Sequence, residues 1–390
     1  MQPDKFKDIR PYLDNEIRPV LDNLLRDPEF LRSIASFYYP KLTRWLPGMM
    51  KRAAYSKLSE QVSGVHDVAS MQDVIASYMD KMIRDTTTAL TNSGIENLQA
   101  GRNYLFVCNH RDITMDPAFV NYMLYHSGYQ TLQIAIGDNL LKKPFVTDLM
   151  RLNKSFIVRR SLKGRELLKS LSLLSEYIHF CIGNSHNVWI AQREGRAKNG
   201  IDKTDPAILK MLAMGRRDLP LDESLQELHI VPVTISYEYD PCDEMKAEEL
   251  FQLETEGIFE KTNETDIRSI VTGMIGFKGD VHVAFGNELA FGTTDPEIIA
   301  KQIDEQVVRN FVLRDVNYLA LQLLQEKDLL DSEMVEQASN IAAREIDPGV
   351  KTKFGRRLED VPQNLHKHFL LNYANPVLNL HRLDSNPLSE

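Results

Sequence analysis

The stretch Cys108-Asn109-His110-Arg111-Asp112-Ile113-Thr114-Met115-Asp116-Pro117 puts a histidine and carboxylates a few residues apart, directly after the apolar run Tyr104-Leu105-Phe106-Val107. A strand that ends in a histidine with an acid close behind can build a general base. The neutral imidazole takes a proton from a hydroxyl, and the carboxylate fixes its tautomer and stabilises the imidazolium. Two further clusters, Phe156-Ile157-Val158-Arg159-Arg160 and Glu194-Gly195-Arg196, suggest that the hydroxyl belongs to an anionic substrate. Paired arginines at a strand end grip a phosphate with a bidentate geometry that lysine cannot match. Gly195 permits a tight turn and a close backbone approach, Arg196 can bind an anion, Glu194 can orient it, and Lys198 adds a second charge. His110-Arg111-Asp112-Ile113 also imitates the protein-kinase catalytic loop. That loop needs an Asn five residues after its Asp, where this chain has Pro117, and no Asp-Phe-Gly follows.

These residues need a scaffold that gathers them. From about residue 99, short apolar runs alternate with helical stretches. The expected strands are Tyr104–Cys108, Leu132–Ile136, Ser155–Val158, Val188–Ala191, Ile230–Tyr237 and Val281–Phe285. The expected helices between and after them are Pro117–Tyr125, Pro144–Leu152, Gly164–Ile182, Asp205–Met214 and Pro296–Val312. This alternation predicts an α/β fold, a mostly parallel sheet flanked by helices. In such folds ligands gather at the carboxyl ends of strands, where His110, Arg159-Arg160 and Glu194-Gly195-Arg196 all fall. Asp116-Pro117 reads as a helix start, with Asp able to cap and Pro favoured at the first helical position. Helical periodicity on both sides divides the chain into an N-terminal helical region (1–98), the α/β domain (99–312) and a C-terminal helical extension (313–390).

Composition narrows the function classes. A hydrophobic share of 43% with 26% charged residues is ordinary for a globular protein, and a net charge of −9 argues against a nucleic-acid partner. Leu140 to Lys169 nevertheless holds nine basic residues against two acidic ones, a local excess that suggests an anion site or an anionic surface. Cys108, Cys181 and Cys242 form neither a disulfide framework nor a zinc spacing, so no metal is expected. No signal peptide and no apolar run of about 18 residues is visible, which predicts a cytoplasmic protein, or one peripheral on the cytoplasmic membrane face. Residues 37–58 hold Phe37, Tyr38, Tyr39, Trp45, Met49, Met50 and Tyr55 with Lys41, Arg44, Lys51, Arg52, Lys57 and no acid. Aromatics with cations suit an anionic membrane interface. The competing reading is an ordinary helix pair around Pro47-Gly48.

Four blocks in order give the chain a family likeness over about residues 100 to 240. They are Asn109-His110-Arg111 through Asp116, Phe156 to Arg160, Glu194 to Gly200, and the apolar run Ile230-Val231-Pro232-Val233-Thr234-Ile235. This set resembles the glycerolipid acyltransferase superfamily, most closely its glycerol-3-phosphate acyltransferase branch. Five residues separate His110 from Asp116 where that family has four, and Arg196 follows Gly195 directly where the family has a residue between. The resemblance implies that His110 is the base, with Asp116, or else Asp112, as its partner. Arg159, Arg160, Arg196 and Lys198 would hold an acceptor phosphate, Glu194 and Gly195 would shape that pocket, and Pro232 would line the acyl channel. The implied donor is a thioester of coenzyme A or of acyl-carrier protein. The implied acceptor is a phosphorylated glycerol, and no cofactor is implied. Lysophosphatidic acid or an amino-acid-derived lipid is the alternative acceptor. A non-catalytic lipid-binding protein is the alternative class.

Overall fold

The computed structural model describes residues 4–342 and 344–385, apart from the side chains of Asp4, Phe37, Tyr38, Pro40 and Asn263. Seven strands occur among them: β1 (Thr87–Ser93), β2 (Leu105–Cys108), β3 (Gln133–Gly137), β4 (Ser155–Val158), β5 (Val188–Ala191), β6 (Ile230–Tyr237) and β7 (Gly279–Phe285). The described residues fall into two compact units, Met1–Lys81 with Leu132–Tyr177, and Met82–Thr131 with Ile178–Glu390. These units cut across the expected segments 1–98, 99–312 and 313–390.

In the second unit the strand order is β1-β7-β6-β2-β5, with β6 and β7 the antiparallel pair and the other neighbours parallel. β2, β5 and β6 are buried at every position, which is why each reads in sequence as an apolar run rather than an alternating one. The observed β5 and β6 match the expected ranges to the residue. Helix Pro296–Arg309 packs on β6, and helix Met115–His126 packs against β7. Pro232 sits inside β6, opposite Val107 of β2. Its carbonyl accepts from the Gly286 N–H at 2.8 Å, just past the end of β7. The missing proline N–H points to the same side, so the strand forfeits one bond of that terminal pair and keeps its bonds to β2. The C-terminal helices Asp315–Glu326, Pro348–Glu359 and His366–Ser385 share a core that includes Leu319, Phe354, Phe369 and Tyr373.

The first unit holds the parallel pair β3 and β4, joined through helix Pro144–Leu152 and registered from Ile134 opposite Ser155 to Gly137 opposite Val158. Its core packs Ile17, Leu21, Leu24, Phe30, Met71, Phe145 and Leu152. No described helix is long and apolar enough to cross a membrane.

Four elements depart from expectation. Thr87–Ser93 is a strand, not part of a helical region. It lies at the sheet edge, half-exposed, so its polar Thr-Thr-Ala-Leu-Thr-Asn-Ser carries no apolar run to announce it. Helices Asp243–Glu256 and Asn263–Ile275 fill the stretch between the last two strands, which the sequence leaves unassigned. The helix after β2 starts at Met115 rather than Pro117, so Asp116 lies in its first turn and is not the cap.

Candidate active site

β2 delivers Asn109 and His110 to the carboxyl end of a central strand. Asn109 ties this end down: its Oδ1 accepts from the Ile235 N–H at 2.7 Å, and its Nδ2 donates to the Ile235 carbonyl at 3.2 Å. The side chain thus replaces a strand residue in the ladder to β6. His110 follows, and its Nδ1 lies 2.8 Å from Asp116 Oδ2. The imidazole is 14% exposed and the carboxylate fully buried, so one edge of the ring reaches solvent while its partner does not. The Trp189 ring from β5 meets the imidazole edge to face at 5.9 Å.

Asp116 is held by four groups. Its Oδ2 also accepts from the Arg111 and Asp112 backbone N–H groups at 2.7 and 2.9 Å, and its Oδ1 accepts from the Tyr237 hydroxyl at 2.8 Å. The carboxylate takes the acceptor role in each of these contacts. The Nδ1 proton of His110 therefore faces Asp116, and Nε2 is left as the basic nitrogen. Burial, and then the Asp116 charge, push the Tyr237 hydroxyl far above its usual range, so it remains a donor.

The residue between them settles which carboxylate faces the ring. Asp112 Oδ1 accepts from the Thr114 and Met115 N–H groups at 2.9 and 2.8 Å, an N-terminal cap for the helix that carries Asp116. Asp112 is buried, and its Oδ2 has no hydrogen-bond partner among the described residues. Burial, and then the nearby Asp116 charge, raise the Asp112 carboxyl. The fifth intervening residue is thus absorbed by a capping turn, which leaves Asp116 aimed back at His110.

Arg111 braces the same loop from the other side. Its guanidinium takes Asp202 in a fork, with Nη2 at 2.6 Å and Nε at 3.1 Å, and sits 5.1 Å from the Phe311 ring centre. Lys246, itself buried, donates to the Arg111 carbonyl at 2.7 Å and pairs with Asp240. Gly273, in helix Asn263–Ile275, lies so close that a Cβ there would sit 2.0 Å from Asp112 Oδ2.

The third block docks onto this loop through its main chain: the Ala197 N–H donates to the His110 carbonyl at 2.7 Å. Gly195 adopts φ +74° with open space where a Cβ would go, so its glycine serves the turn rather than the packing. Glu194 is exposed. Arg196 Nη1 donates to the Ser269 hydroxyl at 2.6 Å, and among the described residues no carboxylate lies within ion-pair distance of it. Its partner is neutral, so most of its five N–H donors stay available for an anion. Lys198 is different. It pairs with Glu249 at 3.4 Å, and burial lowers its ammonium, so its charge is already engaged.

Arg159 and Arg160 close β4 in the other compact unit. Arg159 pairs with Asp8 at 3.6 Å, and the Arg160 N–H donates to Asp138 Oδ1 at 3.0 Å. Sequence reading selects His110, Asp116 and Arg196 but passes over Asn109, Asp202, Tyr237, Lys246, Ser269 and Gly273. Asn109 and Arg111 are within the first block and are the one available signal for that network.

The acyltransferase family model matches residues 89–236, the stretch that spans all four blocks. The likeness to glycerolipid acyltransferases read from those blocks therefore stands. The glycerol-3-phosphate acyltransferase of Pseudomonas syringae pv. tomato is 27% identical over 173 residues, which are 44% of this chain and 20% of that protein. That of Pseudoalteromonas atlantica is 28% identical over 184 residues, 43% of this chain and 22% of that protein. The chain thus spans about a fifth of the length of these relatives. Among solved structures, the 1-acyl-sn-glycerophosphate (LPA) acyltransferase of Thermotoga maritima aligns with 74% of this chain and 94% of its own, at 14% identity and a TM-score of 0.35.

Proposed function

We propose that this chain, whose residues 89–236 belong to the acyltransferase family, moves a fatty acyl group from a thioester donor to a hydroxyl of glycerol-3-phosphate in phospholipid biosynthesis. The observation that carries the reading is the His110 Nδ1 to Asp116 Oδ2 contact at 2.8 Å, with Asp116 itself fixed by two main-chain N–H groups and Tyr237. His110 Nε2 takes the acceptor's hydroxyl proton as the oxygen bonds to the thioester carbonyl carbon. The tetrahedral intermediate collapses, the C–S bond breaks, and the imidazolium returns its proton to the leaving thiolate. The thioester of acyl-CoA or acyl-carrier protein is already activated, so neither a covalent acyl-enzyme nor a cofactor is needed.

Arg196 is the best-supported anchor for the acceptor phosphate, because its charge is not spent on a carboxylate. Gly195, at φ +74°, turns the chain immediately before Arg196, in the loop that follows β5, and Glu194 precedes it there. Lys198 would join it only by releasing Glu249; Arg159 and Arg160 are the further cations that the family likeness suggests, and Pro232 would belong to the apolar wall for the acyl chain. A held phosphate pre-positions the hydroxyl and removes entropy from the barrier.

The test offers labelled palmitoyl-CoA and palmitoyl-carrier protein with glycerol-3-phosphate or lysophosphatidic acid, with His110→Ala as the blank. The expected product is lysophosphatidic acid from glycerol-3-phosphate, absent with His110→Ala. Product from lysophosphatidic acid alone would move the acceptor to the acylated glycerol phosphate. No product from any pair, with the protein folded, would overturn the enzymatic reading in favour of lipid binding.

A further inference from the structure

The C-terminal helix His366–Ser385 carries two buried asparagines three residues apart, Asn372 and Asn375, which therefore share a face. Each reaches a different loop of the site. Asn375 Nδ2 donates to the Asn199 carbonyl at 2.6 Å, in the loop that holds Arg196. Asn372 Nδ2 donates to Asp240 Oδ2 at 3.2 Å. The same carboxylate oxygen takes the buried Lys246, which donates to the Arg111 carbonyl at 2.7 Å, directly after His110. One rigid helix thus serves as the common reference for the loop of the base and the loop of the anion anchor.

A proline shapes this contact. Pro376 lies inside the helix and has no N–H, so the Asn372 carbonyl cannot receive its usual helical bond. Gly200 packs at that carbonyl with φ +80°, so close that a Cβ would overlap the oxygen. The Gly200 carbonyl in turn accepts from Arg111 Nη2 at 3.2 Å. The loop that holds Arg196 is therefore pinned twice: to His110 through the Ala197 N–H, and to the helix through Asn199 and Gly200. These residues all belong to one compact unit, and the helix lies outside residues 89–236 that match the family.

We propose that Asn375 is a positioning residue for Arg196. By holding Asn199 against the helix it fixes the reach of the guanidinium from His110, so that a phosphate bound there presents its hydroxyl to Nε2. This role rests on the acyl-transfer reading of the site. Cutting the tie leaves the loop correctly placed only part of the time, which lowers the apparent affinity for the acceptor by that fraction. The bound phosphate then reorders the loop, and the complex reacts as before.

The full chain is titrated calorimetrically with glycerol-3-phosphate, with no donor present, and acyl transfer is measured alongside. Asn375→Ala should weaken glycerol-3-phosphate binding about fivefold, the worth of one net hydrogen bond. Gly200→Ala, which pushes the loop off the helix from the other side, should weaken it at least as much. For both, kcat at saturating acceptor should stay within about twofold of the native value, with the same pH profile. In an Arg196→Ala background, Asn375→Ala should cost less than about twofold, since the residue it acts through is gone. Asn375→Ser, one bond shorter, carries the same expectation if the alanine variant does not fold. Unchanged affinity in the folded Asn375 and Gly200 variants, or the full fivefold loss on top of Arg196→Ala, would overturn the proposal and leave the acyl-transfer reading standing. A native chain that binds glycerol-3-phosphate with this dependence on Asn375 but forms no product would sink that reading alone, and one that binds none would sink both.

Discussion

Replacing Asp116 by Asn separates the two jobs of that carboxylate, holding the loop and stabilising the charged imidazole. Its Oδ2 faces three N–H groups at 2.7 to 2.9 Å, and its Oδ1 faces one hydroxyl. An Asn has one acceptor oxygen, which must replace Oδ2, since an NH2 group there would confront three donors. Its NH2 then meets the Tyr237 oxygen, which can accept. The fold survives at a cost of about 1–3 kcal/mol, the loss expected when hydrogen bonds to a charged group become neutral. Catalysis loses more. When Nε2 takes the proton, the imidazolium no longer has a full negative charge against Nδ1. At an effective dielectric near 20, opposite charges about 4 Å apart attract by about 4 kcal/mol, which is about a thousandfold in rate. The charge pair forms only as the proton moves, so the loss falls on kcat and leaves KM nearly unchanged. Asp112→Asn is the control. Its role is to cap the helix at Met115, and Asn caps as well as Asp, so kcat should change by no more than about threefold. The assay is initial-rate acyl transfer on both variants, with their melting temperatures measured alongside. An Asp116→Asn enzyme that keeps a tenth of its activity, or an Asp112→Asn enzyme equally damaged, would refute the reasoning.

Two further outcomes follow from the helix and loop behind the site. Gly273→Ala should gain about 1 kcal/mol of helix propensity and lose about 1–3 kcal/mol to crowding, because its Cβ would fall 2.0 Å from Asp112 Oδ2. The expected result is a lower melting temperature and a lower kcat, and a variant that melts higher with full activity would contradict this close approach. Lys278 is buried with its ammonium on the carbonyls of Gly276 and Met274, and burial lowers it to about 8 despite the Asp112 charge. The unfolded chain, with the ordinary value of 10.5, holds that proton more tightly, so stability should rise as pH climbs from about 8 to 10.5. Denaturant titrations across that range should show the rise in the native chain and a flatter profile in Lys278→Met; parallel profiles would remove Lys278 as the cause.

The strands that carry the site were legible because burial on both faces leaves the same trace at every residue. β4, β5 and β6 therefore coincide with Ser155–Val158, Val188–Ala191 and Ile230–Tyr237. β1 left no such trace, since an edge strand pairs on one side only and tolerates Thr, Asn and Ser. Within the site, His110 and Asp116 could be read because they share one loop and their chemistry is local. Counting residues could not separate Asp116 from Asp112; a capping turn decides that, and it depends on where Thr114 and Met115 point their N–H groups. Tyr237, Asp202 and Gly273 were illegible for another reason. A tyrosine late in a buried strand, an aspartate in a loop and a glycine in a helix become informative only once the fold brings them to residues about a hundred or more positions away.

That long reach bears on how the protein is made. A ribosome releases His110 and Asp116 well before their braces: Asp202, then Ile235 and Tyr237, then Lys246, and at last Gly273. Until synthesis has passed Gly273, the loop around the histidine lacks part of its bracing. A nascent chain therefore carries His110 and Asp116 before the groups that fix them, and on the proposed reading the site becomes competent only after synthesis has passed the helix that backs Asp112.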